Sequence, residues 1–432
     1  MKLGFFGFVA QQRAPLAPAH KADLNGKTVL VTGANNGIGY EAAKHFARMQ
    51  PLRLILACRS KEKGEAAVEK LKKETNYPGT VELWILDLAD FSSVKSFAEK
   101  FEADGGRLDI LVANAAIDPN KKLEYTKDGW ESATASVQVN NLSTSLLSLL
   151  LLPRMLDTAE KYNAVPRLVI VSSLVHYFAK FKKSLVNSKN PWRKYGHKEE
   201  FKGPLSKDRY NETKLLNLFF TRALNDRLAG KPIIVTSVNP GYCYSSLRRR
   251  LTGLQAIIDS LMEKALARTS EEGSRQLVYA SVGGGYRADQ LRGAYINLSK
   301  VEEPSDYILS KAGHEAQEKF WDTLVEELIK VDPKVKKIVD DSLTAPMMDS
   351  MMSSDMGSKK GSKKSKKMSS KMDSMKDSKM EKESKMDSMK DSKMDSMKES
   401  KMDSMKESKM DSMTPKMESS TMNSNMNTAM AA

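Results

Sequence analysis

Short runs of apolar residues alternate with longer amphipathic segments over most of this chain. Apolar runs at 28–31, 52–57, 81–86, 108–113, 167–171, 233–238 and 294–297 predict seven buried strands. Helical periodicity between them predicts helices, among them 91–101, 136–162, 207–228, 256–267, 271–280 and 312–330. Strands that alternate with helices indicate an α/β fold with a parallel sheet. We therefore predict one doubly wound domain with a seven-stranded parallel sheet.

The first predicted strand runs into a glycine-rich turn, Thr32-Gly33-Ala34-Asn35-Asn36-Gly37-Ile38-Gly39, and a helix follows. Glycine permits a tight turn and lets the backbone approach a ligand closely. The start of the next helix offers unpaired N–H groups and the positive end of its dipole. This arrangement predicts a site for the pyrophosphate of a dinucleotide, and hence a Rossmann-type domain.

The second predicted strand ends in Ala57-Cys58-Arg59. Sites for NAD usually carry an Asp or Glu here, which binds the adenosine ribose. An acid would repel a 2′-phosphate, whereas Arg59 can hold one, so the sequence favours NADPH over NADH. The alternative is a solvated surface arginine.

Tyr210 and Lys214 lie four residues apart on a predicted helix. This spacing puts the phenol and the ammonium on one helix face, where the cation stabilises the tyrosinate form. Such a tyrosine can exchange the proton that accompanies hydride transfer. On its own, Tyr-x3-Lys is a weak signal, because it occurs by chance in many helices.

The C-terminal part of the chain differs sharply in composition. Residues 347–432 contain 21 of the 25 methionines and no Val, Ile, Leu, Phe, Trp, Tyr or Cys. Such a segment cannot build a core, and we predict that it is disordered. We divide the chain into an N-terminal arm at 1–22, a dinucleotide-binding catalytic domain at 23–335 and this tail.

Composition excludes several other functions. Cys58 and Cys243 stand alone and no metal-ligand spacing is present, so we predict neither a disulfide framework nor a metal site. The net charge is +15, but acidic residues are interspersed with the basic ones. We therefore predict no nucleic-acid partner. The apolar stretch at 142–156 is too short and too polar to span a bilayer. The Phe-rich arm (Phe5, Phe6, Phe8) either packs on the body or touches a membrane surface. We expect a cytoplasmic protein.

Several motifs occur in order along residues 23 to about 330. They are the glycine turn, Asp87-Leu88, Asn114-Ala115-Ala116, Asn140, Ser172-Ser173, Tyr-x3-Lys and Asn239-Pro240-Gly241. Together they resemble the short-chain dehydrogenase/reductase family, and within it the retinol dehydrogenase-like and fungal members. Ala116 stands where the family usually has Gly, and Ser245 stands near the position of its usual Thr.

The resemblance implies a catalytic role for four residues. Tyr210 would be the general acid/base, Lys214 would bind the nicotinamide ribose and tune Tyr210, and Ser173 would polarise the substrate carbonyl. Ser173 is preferred to Ser172 because the second serine fills the family's catalytic position. Asn140 would hold a water in the proton relay.

The resemblance also implies a set of cofactor contacts. Asp87 would receive the adenine amino group, and Asn114 would tie the central strands and border the cofactor. Asn239, Pro240 and Gly241 would lie along the nicotinamide. The full set of cofactor residues is Gly33, Asn35, Asn36, Gly37, Ile38, Gly39, Arg59, Asp87, Leu88, Asn114, Ala115, Tyr210, Lys214, Pro240 and Gly241.

The sequence therefore predicts an NADP-dependent oxidoreductase that interconverts a hydroxyl and a carbonyl on a hydrophobic small molecule. One alternative is reduction of a C=C bond, as in protochlorophyllide oxidoreductases. Another is a non-catalytic dinucleotide sensor with an interaction tail. The resemblance also suggests a homodimer through the helices at 136–162 and 207–228, and the insertion between Ser173 and Tyr210 is either substrate-selecting or a surface excursion.

Overall fold

The computed structural model describes residues 4–117, 123–131, 137–202, 208–244 and 263–345. These residues fall in one compact unit that spans Met1–Met347. The tail at 347–432, predicted to be disordered, lies outside the described residues, as do Ser245 and most of the predicted helix at 256–267.

The centre of the unit is an eight-stranded sheet in the order β3-β2-β1-β4-β5-β6-β7-β8. The strands are β1 (Thr28–Thr32), β2 (Arg53–Cys58), β3 (Thr80–Ile85), β4 (Ile110–Ala113), β5 (Arg167–Val171), β6 (Ile234–Val238), β7 (Tyr295–Asn297) and β8 (Lys300–Glu302). The first seven are parallel and β8 pairs antiparallel with β7. The doubly wound α/β prediction is confirmed, and β8 is an eighth strand that the pattern missed because three largely polar residues form no apolar run.

Helices cover both faces of this sheet. They are α1 (Phe5–Arg13), α2 (Gly37–Ala47), α3 (Lys61–Thr75), α4 (Phe91–Asp104), α5 (Ser143–Tyr162), α6 (Lys183–Val186), α7 (Pro191–Gly196), α8 (Arg209–Arg227), α9 (Ser270–Val282), α10 (Asp306–Leu309), α11 (Lys311–Val331) and α12 (Lys334–Ser342). A π-helical turn, Gln138–Leu142, precedes α5, and a 3₁₀ turn, Leu174–Phe178, follows β5. Among the described residues, no helix has the length and apolar content that crossing a bilayer requires.

Alternate residues of each central strand enter two separate cores, as the period of two dictates. On one face, Val29 and Val31 of β1 pack with α2, α3 and α9. On the other face, Leu30 packs with α4, α5, α8 and the outer helix α11. Burial on both faces explains why the strands read as continuous apolar runs.

The unit is larger than the predicted domain at both ends. Helix α1 lies in the segment predicted as an arm, and α12 continues to Ser342, beyond the predicted boundary at 335. Both helices contact other elements of the same unit, α1 through Gln12 and Tyr242, and α12 by packing on α5. Each of these helices has only nine residues, a length at which packing on the rest of the unit supplies most of the stability.

Candidate active site

The glycine-rich turn joins β1 to α2 where the strand order reverses. Gly33 and Gly37 have φ of +66° and +59°, in the left-handed region that favours glycine. A Cβ at Gly39 would lie 2.6 Å from the carbonyl oxygen of Gly33, so a side chain does not fit there. At Gly37 a Cβ would approach no atom more closely than 4.0 Å. The turn is therefore closed towards the protein and open at the start of α2, which fits a bound pyrophosphate.

Asn114 and Thr32 tie the two central strands together at this edge. The side-chain amide of Asn114 donates to the carbonyl oxygen of Thr32 at 2.9 Å. The Thr32 hydroxyl accepts from the backbone N–H groups of Asn114 and Ala115, both at 3.0 Å. These bonds hold the ends of β1 and β4 beside the glycine turn.

The residues assigned to the adenosine end follow β2 and β3. Arg59 lies directly after β2 with its side chain exposed. Asp87 is half-buried, and its Oδ1 accepts from the backbone N–H of Ala89 at 2.9 Å, while Leu88 is buried. Since β2 and β3 are adjacent and parallel, both segments leave the sheet at the edge that carries the glycine turn.

Asn140 lies in the π-helical turn before α5 and is buried. Its Oδ1 accepts from the N–H of Ile117 at 3.0 Å, and its Nδ2 donates to the carbonyl oxygen of Ile117 at 3.1 Å. The same Nδ2 lies 3.4 Å from Thr213 Oγ1. Asn140 therefore joins the segment after β4 to the helix turn that carries Tyr210 and Lys214.

Helix α8 places Lys214 beneath Tyr210, as the spacing of four predicts. Lys214 is 2% exposed, and its Nζ lies 5.5 Å from the centroid of the Tyr210 ring. This Nζ also donates to the carbonyl oxygen of Val171 at 3.1 Å, and Ser172 Oγ donates to the carbonyl oxygen of Lys214 at 2.8 Å. The end of β5 is thus fixed to the turn of α8 that bears the phenol. The buried ammonium and the phenol ring thus lie together on one face of α8.

Ser173 begins the 3₁₀ turn after β5 and is partly exposed, whereas Ser172 is buried in the contact with α8. His176, three residues on, is fully buried. Its Nδ1 is 2.8 Å from the carbonyl oxygen of Ser173, and its Nε2 accepts from the N–H of Ser305 at 3.3 Å. Burial lowers the pKa of His176 to about 4, so the ring is neutral and Nδ1–H donates to that carbonyl. His176 supports the serine segment and is not placed as its base.

Asn239 fixes the segment after β6 through three side-chain hydrogen bonds. Its Oδ1 accepts from the N–H groups of Leu174 and Gly241, both at 3.1 Å, and its Nδ2 donates to Asn297 Oδ1 at 2.9 Å. Through these hydrogen bonds, the buried amide of Asn239 ties the ends of β5, β6 and β7 together. Pro240 is buried and Gly241 has φ of +88°, which favours glycine.

The insertion between Ser173 and Tyr210 is anchored by two buried aromatic residues. Trp192 Nε1 donates to the carbonyl oxygen of Phe320 at 2.8 Å, and the Tyr195 hydroxyl donates to Glu212 Oε2 at 2.8 Å. The guanidinium of Arg209, directly before Tyr210, lies 3.4 Å from the centroid of the Tyr195 ring. The described part of the insertion is therefore packed on α8 and α11.

Some residues that build the site are not evident from the sequence. Asn141 Nδ2 donates to the carbonyl oxygen of Thr213 at 2.8 Å and to Asn217 Oδ1 at 2.7 Å, and Asn217 donates to the carbonyl oxygen of Val171 at 3.2 Å. The only signal for them is that Asn141 and Asn217 are polar residues inside apolar helices. Across the described ranges, no three His, Cys, Asp or Glu side chains gather as a metal site requires.

Comparison with known proteins assigns the family. The family model described as short chain dehydrogenase matches residues 27–181. The chain is 33% identical over 341 residues to the short chain dehydrogenase/reductase dmxR8 of Cryptosporiopsis sp. (strain 8999), covering 76% of this chain and 98% of that protein. It is 36% identical over 305 residues to the short chain dehydrogenase sol3 of Alternaria solani, covering 69% and 99%.

The chain therefore belongs to the short-chain dehydrogenase/reductase family. It is an oxidoreductase, and its cofactor is a nicotinamide dinucleotide. The relatives support the predicted resemblance to fungal members, while the likeness to retinol dehydrogenases is a looser one.

Two solved structures resemble this chain at low sequence identity. A putative short chain dehydrogenase from Escherichia coli CFT073, complexed with NADPH, is 21% identical with a TM-score of 0.46, covering 64% of this chain and 99% of that chain. The 3-ketoacyl-(acyl-carrier-protein) reductase from Brucella melitensis, complexed with NADH, is 20% identical with a TM-score of 0.47, covering 63% and 97%.

Proposed function

We propose that this chain is an NADP-dependent oxidoreductase that interconverts a hydroxyl and a carbonyl on a hydrophobic small molecule. The observation that carries the proposal is the buried Lys214 beside the Tyr210 ring, fixed to the end of β5 just before Ser173. A structural lysine has no need of burial beside a phenol at the edge of the sheet where ligands bind in this fold.

Four side chains take part in the proposed reaction. Tyr210 donates its phenol proton to the substrate oxygen during reduction and takes it back during oxidation. Lys214 stabilises the phenolate that remains, and Ser173 donates a hydrogen bond that orients the substrate carbonyl. Asn140 fixes the π-helical turn against α8 and holds a water in the proton relay. Bound NADPH supplies the hydride.

Two partly exposed aromatic side chains support a hydrophobic substrate. Phe178, in the 3₁₀ turn after Ser173, is 49% exposed, and Tyr244, after Gly241, is 41% exposed. They lie in the segments that follow the adjacent strands β5 and β6. Apolar surface beside a reaction site favours an apolar ligand.

The test is oxidation of NADPH and NADH by the full chain across a panel of hydrophobic aldehydes and ketones. We expect turnover that falls about 100-fold or more in Tyr210→Phe, because that variant removes the proton donor. Tyr162→Phe, at an exposed tyrosine, is the matched control. Near wild-type turnover by Tyr210→Phe contradicts the mechanism, and a product with a saturated C–C bond points to C=C reduction instead.

The preference for NADP is supported by Arg59, which stands where an acid would contact the ribose. We expect Arg59→Ala to raise the KM for NADPH about tenfold and to leave the KM for NADH unchanged, because one charge-assisted contact to the 2′-phosphate is lost. Lys73→Ala, at an exposed cation near the end of α3, is the control. Equal changes for both cofactors would assign Arg59 to the solvated surface.

Location and partners are part of the proposal. We place the protein in the cytoplasm, where its two free, buried cysteines stay reduced. We also propose weak peripheral membrane contact through Phe6, whose side chain is 87% exposed.

A homodimer also stays a proposal. Since α11 packs on α8 and α12 packs on α5 within one chain, a dimer through α5 and α8 would have to include α11 and α12 or displace them. Light scattering distinguishes 48.1 kDa from twice that mass.

A further inference from the structure

Helix α1 docks on the segment that follows β6, and Gln12 makes the central contact. Gln12 is buried and bonds both main-chain groups of one residue. Its Nε2 donates to the carbonyl oxygen of Tyr242 at 2.7 Å, and its Oε1 accepts from the N–H of Tyr242 at 3.0 Å. A side-chain amide that pairs with both groups fixes a residue much as a neighbouring strand does. Gln12 therefore holds Tyr242 in one conformation.

Arg268 closes this contact from the other side. Its backbone N–H donates to the carbonyl oxygen of Tyr242 at 2.9 Å, and its own carbonyl oxygen accepts from the N–H of Tyr244 at 2.8 Å. Its buried guanidinium donates to the carbonyl oxygens of Gln11, Ala14 and Gln12 at 2.8, 3.0 and 3.3 Å. These carbonyl groups lie at the C-terminal end of α1. Carbonyls at this end of a helix lack intrahelical partners, and the helix dipole attracts a cation there. Arg268 thus fastens the end of α1 to the segment after β6.

A second line of hydrogen bonds leads from α1 towards Ser173. Gln11 Oε1 accepts from Asn297 Nδ2 at 3.2 Å, and Asn297 Oδ1 accepts from Asn239 Nδ2 at 2.9 Å. Asn239 in turn accepts from the N–H of Leu174, the residue after Ser173. Buried amides that are paired in this way fix the relative positions of the segments they join.

We propose that Gln12 is a positioning residue for the nicotinamide end of the cofactor site, because it holds Pro240 and Gly241 through Tyr242. The inference rests on the proposed function and on the predicted position of Pro240 and Gly241 along the nicotinamide. Gln12 also lies directly against the glycine, since a Cβ at Gly241 would be 3.4 Å from Gln12 Oε1. The N-terminal segment is thereby a part of the site rather than an appendage.

Gln12→Met tests this, because methionine keeps the length and burial of the side chain and removes both hydrogen bonds. Arg13→Gln, at the neighbouring exposed position, is the matched control. The full chain is measured in three ways: the Kd for NADPH by fluorescence titration, kcat at saturating NADPH, and amide hydrogen exchange of residues 239–244 without cofactor. We expect faster exchange in that segment and a Kd about fivefold to tenfold higher, with a smaller fall in kcat.

Two outcomes in Gln12→Met overturn the proposal. If exchange rises and the Kd stays within twofold of wild type, the position of the segment does not matter to the cofactor. If exchange is unchanged, Gln12 does not hold the segment. A wild-type chain that binds neither NADPH nor NADH removes the proposed function and this inference together. Full turnover in Tyr210→Phe, with the expected Kd in Gln12→Met, refutes the mechanism and leaves the positioning role standing.

Discussion

Two helices near the ends of the described chain, α1 and α11, attach to the same unit with a different balance of polar and apolar contacts. Helix α1 is held at the edge of the site by the hydrogen bonds of Gln12 and Arg268, with one edge-on ring contact between Phe8 and Tyr242 at 6.3 Å. Helix α11 also accepts hydrogen bonds, among them those from Trp192 and Arg227, but it adds extensive apolar packing on α8 and the insertion. The centroid of the Phe320 ring lies 4.7 Å from that of Phe181 and 5.2 Å from that of Trp192.

We expect the two kinds of contact to contribute differently to the stability of the fold and to the geometry of the site. Burial of large apolar side chains such as Phe320 and Trp321 contributes free energy in proportion to area and depends weakly on orientation. Hydrogen bonds contribute a smaller net free energy but fix distances and angles. We therefore expect changes at α11 to lower stability and changes at α1 to alter cofactor binding.

The largest effect is expected at α11. Phe320→Ala removes a fully buried ring and leaves a cavity among aromatic neighbours, so the free energy of unfolding should fall by about 3–5 kcal/mol. The folded fraction should keep the wild-type Kd for NADPH. Urea denaturation and a titration in buffer measure the two quantities. Glu326→Ala, at an exposed position of the same helix, is the control. A loss below 1 kcal/mol would show that α11 is not a stabilising element.

A second prediction concerns His176, where the C-terminal part of the chain meets the serine segment through Ser305. Its pKa is about 4 in the folded chain and near 6.5 when exposed. Between these values the unfolded chain binds a proton that the folded chain does not. The contribution of neutral His176 to the free energy of unfolding is therefore fully present above pH 6.5. It falls by about 3 kcal/mol as the pH drops to 4.

The check is the free energy of unfolding against pH for wild type and His176→Gln. We expect a shallower fall between pH 6.5 and 4 in the variant, and no such change in His314→Gln, at an exposed histidine. Equal slopes for wild type and His176→Gln would rule out this protonation as a source of acid instability.

The smallest effect on stability is expected at Arg268. Arg268→Met removes its hydrogen bonds to the end of α1 and should lower the free energy of unfolding by only about 1–2 kcal/mol. Trypsin should then cleave after Arg13 faster than in wild type, because α1 detaches locally. Arg275→Met, whose guanidinium mainly pairs with Glu271, is the control. Unchanged cleavage would show that Arg268 does not fasten α1.

Much of the fold was predictable because its signals are local. Strands buried on both faces require continuous apolar runs, and the glycine turn requires Gly33, Gly37 and Gly39 by backbone geometry. The Tyr210–Lys214 contact follows from the helical repeat alone. The structure adds that Lys214 is buried and joined to β5, which is what distinguishes it from a chance Tyr-x3-Lys.

Other features could not be predicted because they depend on distant partners. Thr32 appears in the sequence as an ordinary strand residue, yet its hydroxyl accepts two hydrogen bonds from the end of β4. Strand β8 pairs with the edge that β7 offers, and α12 packs on the surface of α5. Strand β8 has only three residues and α12 only nine, so neither is long enough to be stable without its partner.

The alternation of strands and helices, the glycine turn and the helix face shared by Tyr210 and Lys214 follow from the sequence, since each is set by residues close together in the chain. The hydrogen bonds of Gln12 to Tyr242, 230 residues away, and of Arg268 to the end of α1 arise only in the folded chain. Buried polar groups require partners, and which partner each one finds depends on the segments that the fold brings together.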